Sequence, residues 1–128
     1  MKLRNLLGAC AVSAVGAAMA LAVLPQQNGV VDLLSQANLR IDGAAPRDAA
    51  GYNVAAAGDV NGDGRGDILV GAPDTRNNAR DYSGSTYVIF GQAAPTNVDL
   101  VNLGAAGFRI DGAEGFDETG RAVAGIGD

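Results

Sequence analysis

Hydrophobic and polar positions divide the chain into two unlike stretches. Residues 6–24 carry no charge and are mostly Ala, Leu, Val, Gly and Ser; Lys2 and Arg4 precede them and Pro25-Gln26-Gln27 closes them. A basic start, an apolar run and small-residue sites such as Ala18-Met19-Ala20 and Ala20-Leu21-Ala22 predict a secretory signal peptide over residues 1–24. The same run is just long enough for an uncleaved membrane anchor, and a helix of the mature protein is the third reading. Leu7-Gly8-Ala9-Cys10 has the form of a lipobox, but no apolar region of the usual length precedes Cys10. Residues 25–38 read as a linker or an edge strand. After Gln27 no segment keeps a 3.6-residue period. The pattern changes to short runs rich in apolar, β-branched and aromatic residues, separated by Gly and Asn clusters. Strands are expected at Leu39-Arg40-Ile41, at residues 52–57, at Asp67-Ile68-Leu69-Val70-Gly71, at Ser85-Thr86-Tyr87-Val88-Ile89-Phe90 and at Phe108-Arg109-Ile110.

The strand pattern repeats. Arg40-Ile41-Asp42-Gly43-Ala44 recurs as Arg109-Ile110-Asp111-Gly112-Ala113, an offset of 69 residues. The same offset carries Asp48 onto Asp117, Gly51 onto Gly120, Val54-Ala55 onto Val123-Ala124 and Gly58-Asp59 onto Gly127-Asp128. Val31-Asp32-Leu33 matches Val98-Asp99-Leu100 with a two-residue change of length, as a loop allows. Four short strands per repeat describe a β-meander, and a repeated meander is the pattern of a propeller blade. A generic β-sandwich is the alternative.

Composition narrows the chemistry. Among 128 residues there is no His and one Cys, which excludes a Ser-His-Asp triad, a Cys-His dyad and the usual zinc sites within the chain. A formal charge of -5 argues against nucleic acid, whose phosphates call for a basic face. Asp111, Glu114, Asp117 and Glu118 are carboxylates in one stretch, but an exposed polar turn accounts for them without catalysis.

The strongest local signal is Asp59-Val60-Asn61-Gly62-Asp63-Gly64-Arg65-Gly66-Asp67. Oxygen-bearing side chains stand at its positions 1, 3, 5 and 9, and glycines at 4, 6 and 8. Calcium takes six to eight hard oxygen ligands at about 2.3–2.6 Å, and converging them from so short a segment needs a curled backbone that glycine permits. Asp59, Asn61, Asp63 and Asp67 would supply side-chain oxygens, and Arg65 its main-chain carbonyl. An EF-hand is excluded: its twelfth position demands a bidentate Glu, and here that position is Val70, within an expected strand. A Gly/Asn/Asp turn that binds no metal is the alternative. Arg65-Gly66-Asp67 spells the adhesive tripeptide, an incidental match if Asp67 is a ligand. A phosphate cradle is unsupported, because no Gly-Lys-Ser/Thr follows and the loop is acidic.

Gly51, Val54, Gly58-Asp59-Val60-Asn61-Gly62-Asp63-Gly64 and Asp67-Ile68-Leu69-Val70-Gly71-Ala72-Pro73, followed by Gly84-Ser85-Thr86-Tyr87-Val88-Ile89-Phe90-Gly91, resemble the FG-GAP repeat of integrin α-chain β-propellers. The resemblance runs from Leu39 to Asp128. It implies an all-β fold of propeller blades, a Ca2+ ion in a strand-to-strand loop, and Asp59, Asn61, Asp63, Arg65 (carbonyl) and Asp67 as its ligands. Asp128 falls where the next loop's first ligand belongs. Residues 39–107 are then a first repeat with its calcium loop, and 108–128 the start of a second, about one and a half blades in all. An incomplete ring requires further blades from the rest of a longer chain or from other copies.

The chain departs from animal integrins: it has no Asn-x-Ser/Thr sequon, and Cys10 is its single Cys. With its signal-like start, this implies a bacterial integrin-α-like repeat protein, secreted or held at the cell surface, in the periplasm or outside the cell. The expected role is non-catalytic binding or adhesion to a protein or glycan ligand on a cell surface or matrix, through loops such as residues 74–83 with Arg76, Arg80, Asp81 and Tyr82. Alternatives are an accessory module of a larger secreted hydrolase and a self-assembling surface protein.

Overall fold

A computed structural model describes Leu33 and residues 37–126. The expected signal or anchor segment at residues 1–24, nearly all of the 25–38 linker, and Asp128 lie outside the described residues. The strands are β1 (Ile41–Asp42), β2 (Asn53–Gly58), β3 (Asp67–Ala72), β4 (Ser85–Ile89), β5 (Val98–Asp99) and β6 (Gly107–Asp111), with one 3-10 turn at Gly104–Ala106. Four of them form an antiparallel sheet in the order β2-β3-β4-β6, while β1 and β5 pair in parallel. This all-β arrangement fits the propeller blade that the sequence resemblance implies.

The expected strands appear within a residue or two of their sequence positions. The β-branched and aromatic run Ser85–Ile89 is buried along its whole length, as suits a strand flanked by neighbours on both sides. Pairing aligns Val70 with Tyr87 and Ile68 with Ile89, so alternate residues of both strands face one side of the sheet. Val70, Ala72, Tyr87 and Ile89 join Val98 and Leu100 in one buried cluster, against which Leu39, Ile41, Leu103 and Ala106 pack. The segment after β4 therefore closes the core over one sheet face. The burial drives this arrangement, since β1 and β5 are too short to be stable alone.

The 69-residue repeat is visible in three dimensions. Arg47, Ala49 and Gly51 have positive φ of 67°, 56° and 85°; Phe116, Glu118 and Gly120, at the same offset, have 66°, 48° and 93°. Tyr52 N–H donates to the Ala49 carbonyl at 2.9 Å, and Arg121 N–H to that of Glu118 at 3.0 Å. Arg40 pairs with Asp42 at 2.8 Å and Arg109 with Asp111 at 2.7 Å. Repeat and sheet are out of step, however. Phe108 and Ile110 belong to β6, which pairs with β4 through Val88 and Thr86, so the second copy of the motif supplies the first sheet's fourth strand. The chain then turns back over that sheet, and Gly120 lies so close to Gly71 that a Cβ on Gly120 would stand 2.9 Å from the Gly71 Cα.

Candidate metal-binding loop

Strand β2 leaves the sheet through an irregularity between Ala56 and Gly58. Gly58, Gly62 and Gly64 take φ of 79°, 76° and 81°, and these left-handed turns fold residues 59–67 back upon themselves before β3 begins at Asp67. The loop's side-chain oxygens collect its own N–H groups. Asp63 N–H donates to Asp59 Oδ1 and to Asn61 Oδ1, both at 3.0 Å. Gly64 N–H donates to the other Asp59 oxygen at 2.7 Å, and Arg65 N–H to Asp63 Oδ1 at 2.8 Å. Asp59, Asn61 and Asp63 are thus brought around one short stretch of backbone. Desolvation, the largest single influence, pushes the Asp63 carboxyl up, but the Arg65 N–H, the Asn61 amide and the Arg65 guanidinium together outweigh it and hold the carboxyl below its usual value.

Asp67 is placed differently. It is buried, with 2% of its surface exposed. Its Oδ2 accepts Val60 N–H and its Oδ1 accepts Gly91 N–H, each at 2.8 Å. One carboxylate therefore ties the start of the loop to the chain just after β4. Gly91 is where that approach is tight: a Cβ there would lie 2.8 Å from the Arg65 Cβ. The adhesive-looking tripeptide is consequently closed to a receptor that would bind the Asp67 carboxylate, since both its oxygens face inward.

The donor set suits a hard cation. It is all oxygen, each carboxylate oxygen keeps a lone pair after accepting one N–H, and soft-metal ligands are absent from the loop. Arg65 contributes a carbonyl in the expected set while its guanidinium approaches Asp63 at 3.4 Å. Among the described residues no three Asp, Glu, His or Cys side chains stand together as a ligand group; the oxygens gathered here are those of the Asp59 and Asp63 carboxylates and the Asn61 amide, with Asp67 set apart on Val60 and Gly91.

Four carboxylates outside the loop serve the structure. Asp48 accepts Ala45 N–H at 3.0 Å and Ala50 N–H at 2.9 Å. Asp117 accepts Glu114 N–H at 2.8 Å, and Asp111 accepts the Ser85 hydroxyl at 2.9 Å while pairing with Arg109. Glu118 pairs with Arg121.

Residues 74–83 form an ordered loop. Arg80 N–H donates to the Asn77 carbonyl at 2.8 Å across a turn whose central residues, Asn78 and Ala79, both have positive φ, as in a type I′ turn. The buried Asn77 amide donates to the Ser85 hydroxyl at 2.8 Å and to the Gly84 carbonyl at 3.1 Å. Spacing alone could not reveal two further features, the Asp67–Gly91 tie and a stack of Tyr82 on Phe116, because both join segments far apart in sequence.

No curated protein and no solved structure matches the chain. A family model described as FG-GAP repeat matches residues 50–89, a stretch that contains β2, the acidic loop, β3 and β4. Residues 50–89 therefore match an FG-GAP repeat, and the sheet they help to build is of β-propeller type.

Proposed function

We propose that this repeat is a calcium-stabilised, extracellular binding module that works without catalysis. The observation that carries the reading is the convergence of Asp59, Asn61 and Asp63 oxygens in a glycine-turned loop between β2 and β3. Calcium there would be held by Asp59, Asn61, Asp63 and the Arg65 carbonyl, with Asp67 both ligand and clamp. The ion would neutralise carboxylates that otherwise repel one another and would pin two adjacent strands. That staple substitutes for the disulfides on which many secreted domains rely.

Further blades, from a longer chain or from other copies, would flank this one. Gly120 packs on Gly71, whereas its counterpart Gly51 has open space around a Cβ position; a neighbouring blade's β3 glycine would fit there as Gly71 fits Gly120. Strands β2 and β6 are the outer strands of the sheet, and Val54, Phe108 and Ile110 on them are exposed. This also favours self-assembly as a second reading.

Calorimetric titration of the full chain with CaCl2 tests the proposal. Saturable binding that Asp63→Ala weakens on the order of a hundredfold is expected. Binding unaffected by Asp63→Ala would refute the ligand assignment.

A further inference from the structure

Taking the binding-module reading as its basis, we propose that the cavity beside Tyr82 is a subsite for a neutral pyranose sugar. The cavity, of about 410 Å³, lies between the turn at residues 45–48 and the loop beginning at Asp74, and Tyr82 lines it. Phe116 does not line the cavity; it stacks on Tyr82 with ring centroids 5.8 Å apart and planes 19° from parallel. Tyr82 is thus a wall backed by a second ring.

Core formation does not explain the two rings. Tyr82 is 49% exposed and Phe116 74%, so the pair buries little of its apolar surface. Both residues have positive φ, 52° and 66°, a conformation that costs a bulky side chain on the order of 1 kcal/mol or more and persists only where surroundings enforce it. The surroundings do so. Phe116 N–H donates to the Asp81 carbonyl at 2.9 Å, and Glu118 N–H to the Tyr82 carbonyl at 3.0 Å. The wall is held rigid before any ligand arrives, which lowers the entropic cost of binding.

The rim completes the chemistry. Arg76 and Asp81 form an exposed ion pair at 2.8 Å, and Arg47 and Asp74 stand at the same cavity. Two guanidinium groups stand against three carboxylates, those of Asp48, Asp74 and Asp81, and Asp48 spends both oxygens on the N–H groups of Ala45 and Ala50. The lining therefore carries one net negative charge and disfavours an anion. Instead it offers fixed donors and acceptors around a flat aromatic surface. A pyranose matches this arrangement: one C–H face to lie on the ring, and a belt of hydroxyls that each donate and accept. The volume falls in the range of small-ligand sites, roughly 300–1,000 Å³. An extended peptide would require an open strand edge or an apolar groove, and the cavity borders neither β2 nor β6.

Saturation-transfer NMR on the full chain with calcium present, using the methyl pyranosides of glucose, galactose, mannose and N-acetylglucosamine, tests this. Transfer to the ring C–H protons of at least one sugar is expected. Tyr82→Ala should weaken that binding about tenfold, and Phe116→Ala about threefold, while Tyr82→Phe keeps it. Arg76→Gln, at an exposed position, provides a second probe should Tyr82→Ala fail to fold, and should also weaken binding. Absence of transfer to all four sugars overturns the inference, as does transfer unchanged by Tyr82→Ala or Arg76→Gln. Calcium binding without sugar binding refutes this inference alone; sugar binding without calcium binding supports it and refutes the calcium reading alone.

Discussion

Asp48 and Asp117 hold the same turn in two copies of one repeat. Asp48 accepts the N–H of Ala45 three residues earlier, and Asp117 accepts that of Glu114, at 3.0 and 2.8 Å. They differ in burial and load. Asp48 is 6% exposed and uses its second oxygen on Ala50 N–H, while Asp117 is exposed. Asp48→Ala should therefore destabilise the fold by about 2–3 kcal/mol and Asp117→Ala by less than about 1 kcal/mol, measured by urea unfolding.

Asp67 ties Val60 to Gly91 irrespective of any ion. Replacing it with Ala strands two N–H groups of a buried clamp, so unfolding in EDTA should show a loss of about 2–4 kcal/mol. Asp63→Ala, whose partners are exposed, should cost little in EDTA yet lower calcium affinity on the order of a hundredfold. Arg65→Ala should keep calcium binding, because its expected ligand is a main-chain carbonyl. Unfolding of the two aspartate variants with and without EDTA separates clamp from ligand.

Chelation itself has a defined effect. With free calcium at about one hundred times the dissociation constant, the ion adds about 2.7 kcal/mol to the native state. Wild-type protein should lose that increment in EDTA, and Asp63→Ala, with affinity about a hundredfold weaker, should lose only about 0.4 kcal/mol. Thermal unfolding followed by circular dichroism reads both.

Glycines at two places should fail for different reasons. A Cβ at Gly71 would strike the Gly120 backbone, so Gly71→Ala should cost about 2 kcal/mol or more by forcing the returning chain away. Gly62 has open space but a φ of 76°, so Gly62→Ala should cost about 1 kcal/mol through strain alone. Urea midpoints of the two variants compare them.

Stability should fall at both ends of the pH range. The Asp63 carboxyl is held below its ordinary value of 3.8; its contribution is complete above that value and fades as pH falls below it towards the lowered one. Tyr87 behaves oppositely. Burial pushes its phenol up from 10.0, with the Arg109 guanidinium pulling the other way. The contribution of its protonated form is complete below pH 10.0 and is lost as pH rises through the raised value. Tyr87→Phe should remove the alkaline loss, and because the buried hydroxyl has no hydrogen-bond partner it should not lower stability at pH 7. Urea unfolding across pH resolves the two limbs.

The sheet was legible where side-chain type and burial agree. Ser85–Ile89 carries β-branched and aromatic residues in a strand buried on both faces, and Asp67–Ala72 contains the apolar run Ile68-Leu69-Val70 ahead of Gly71. The two-residue strands β1 and β5 were harder to place. Ile41 lies in an expected strand, but nothing local marks its parallel partner Val98, because so short a pairing is fixed by packing around Leu100 and not by local preference. Nor could the repeat show which sheet Phe108 and Ile110 would join, since identical motifs look alike wherever their hydrogen bonds go. In the loop, the residue types at positions 59, 61 and 63 mark the side-chain oxygens that accept the loop's own N–H groups. The reach of Asp67 to Gly91 depended on β3 and β4 lying side by side.

The twin turns also bear on how such a protein diversifies. At one left-handed position one copy carries Arg47 and the other Phe116, with φ of 67° and 66°. A guanidinium and a phenyl ring are interchangeable there because the aspartate one residue later dictates the backbone. The turn thus behaves as a mount whose tip can be exchanged. A lineage, or a designed library, could vary residues 47 and 116 to change what the surface displays while leaving the frame intact.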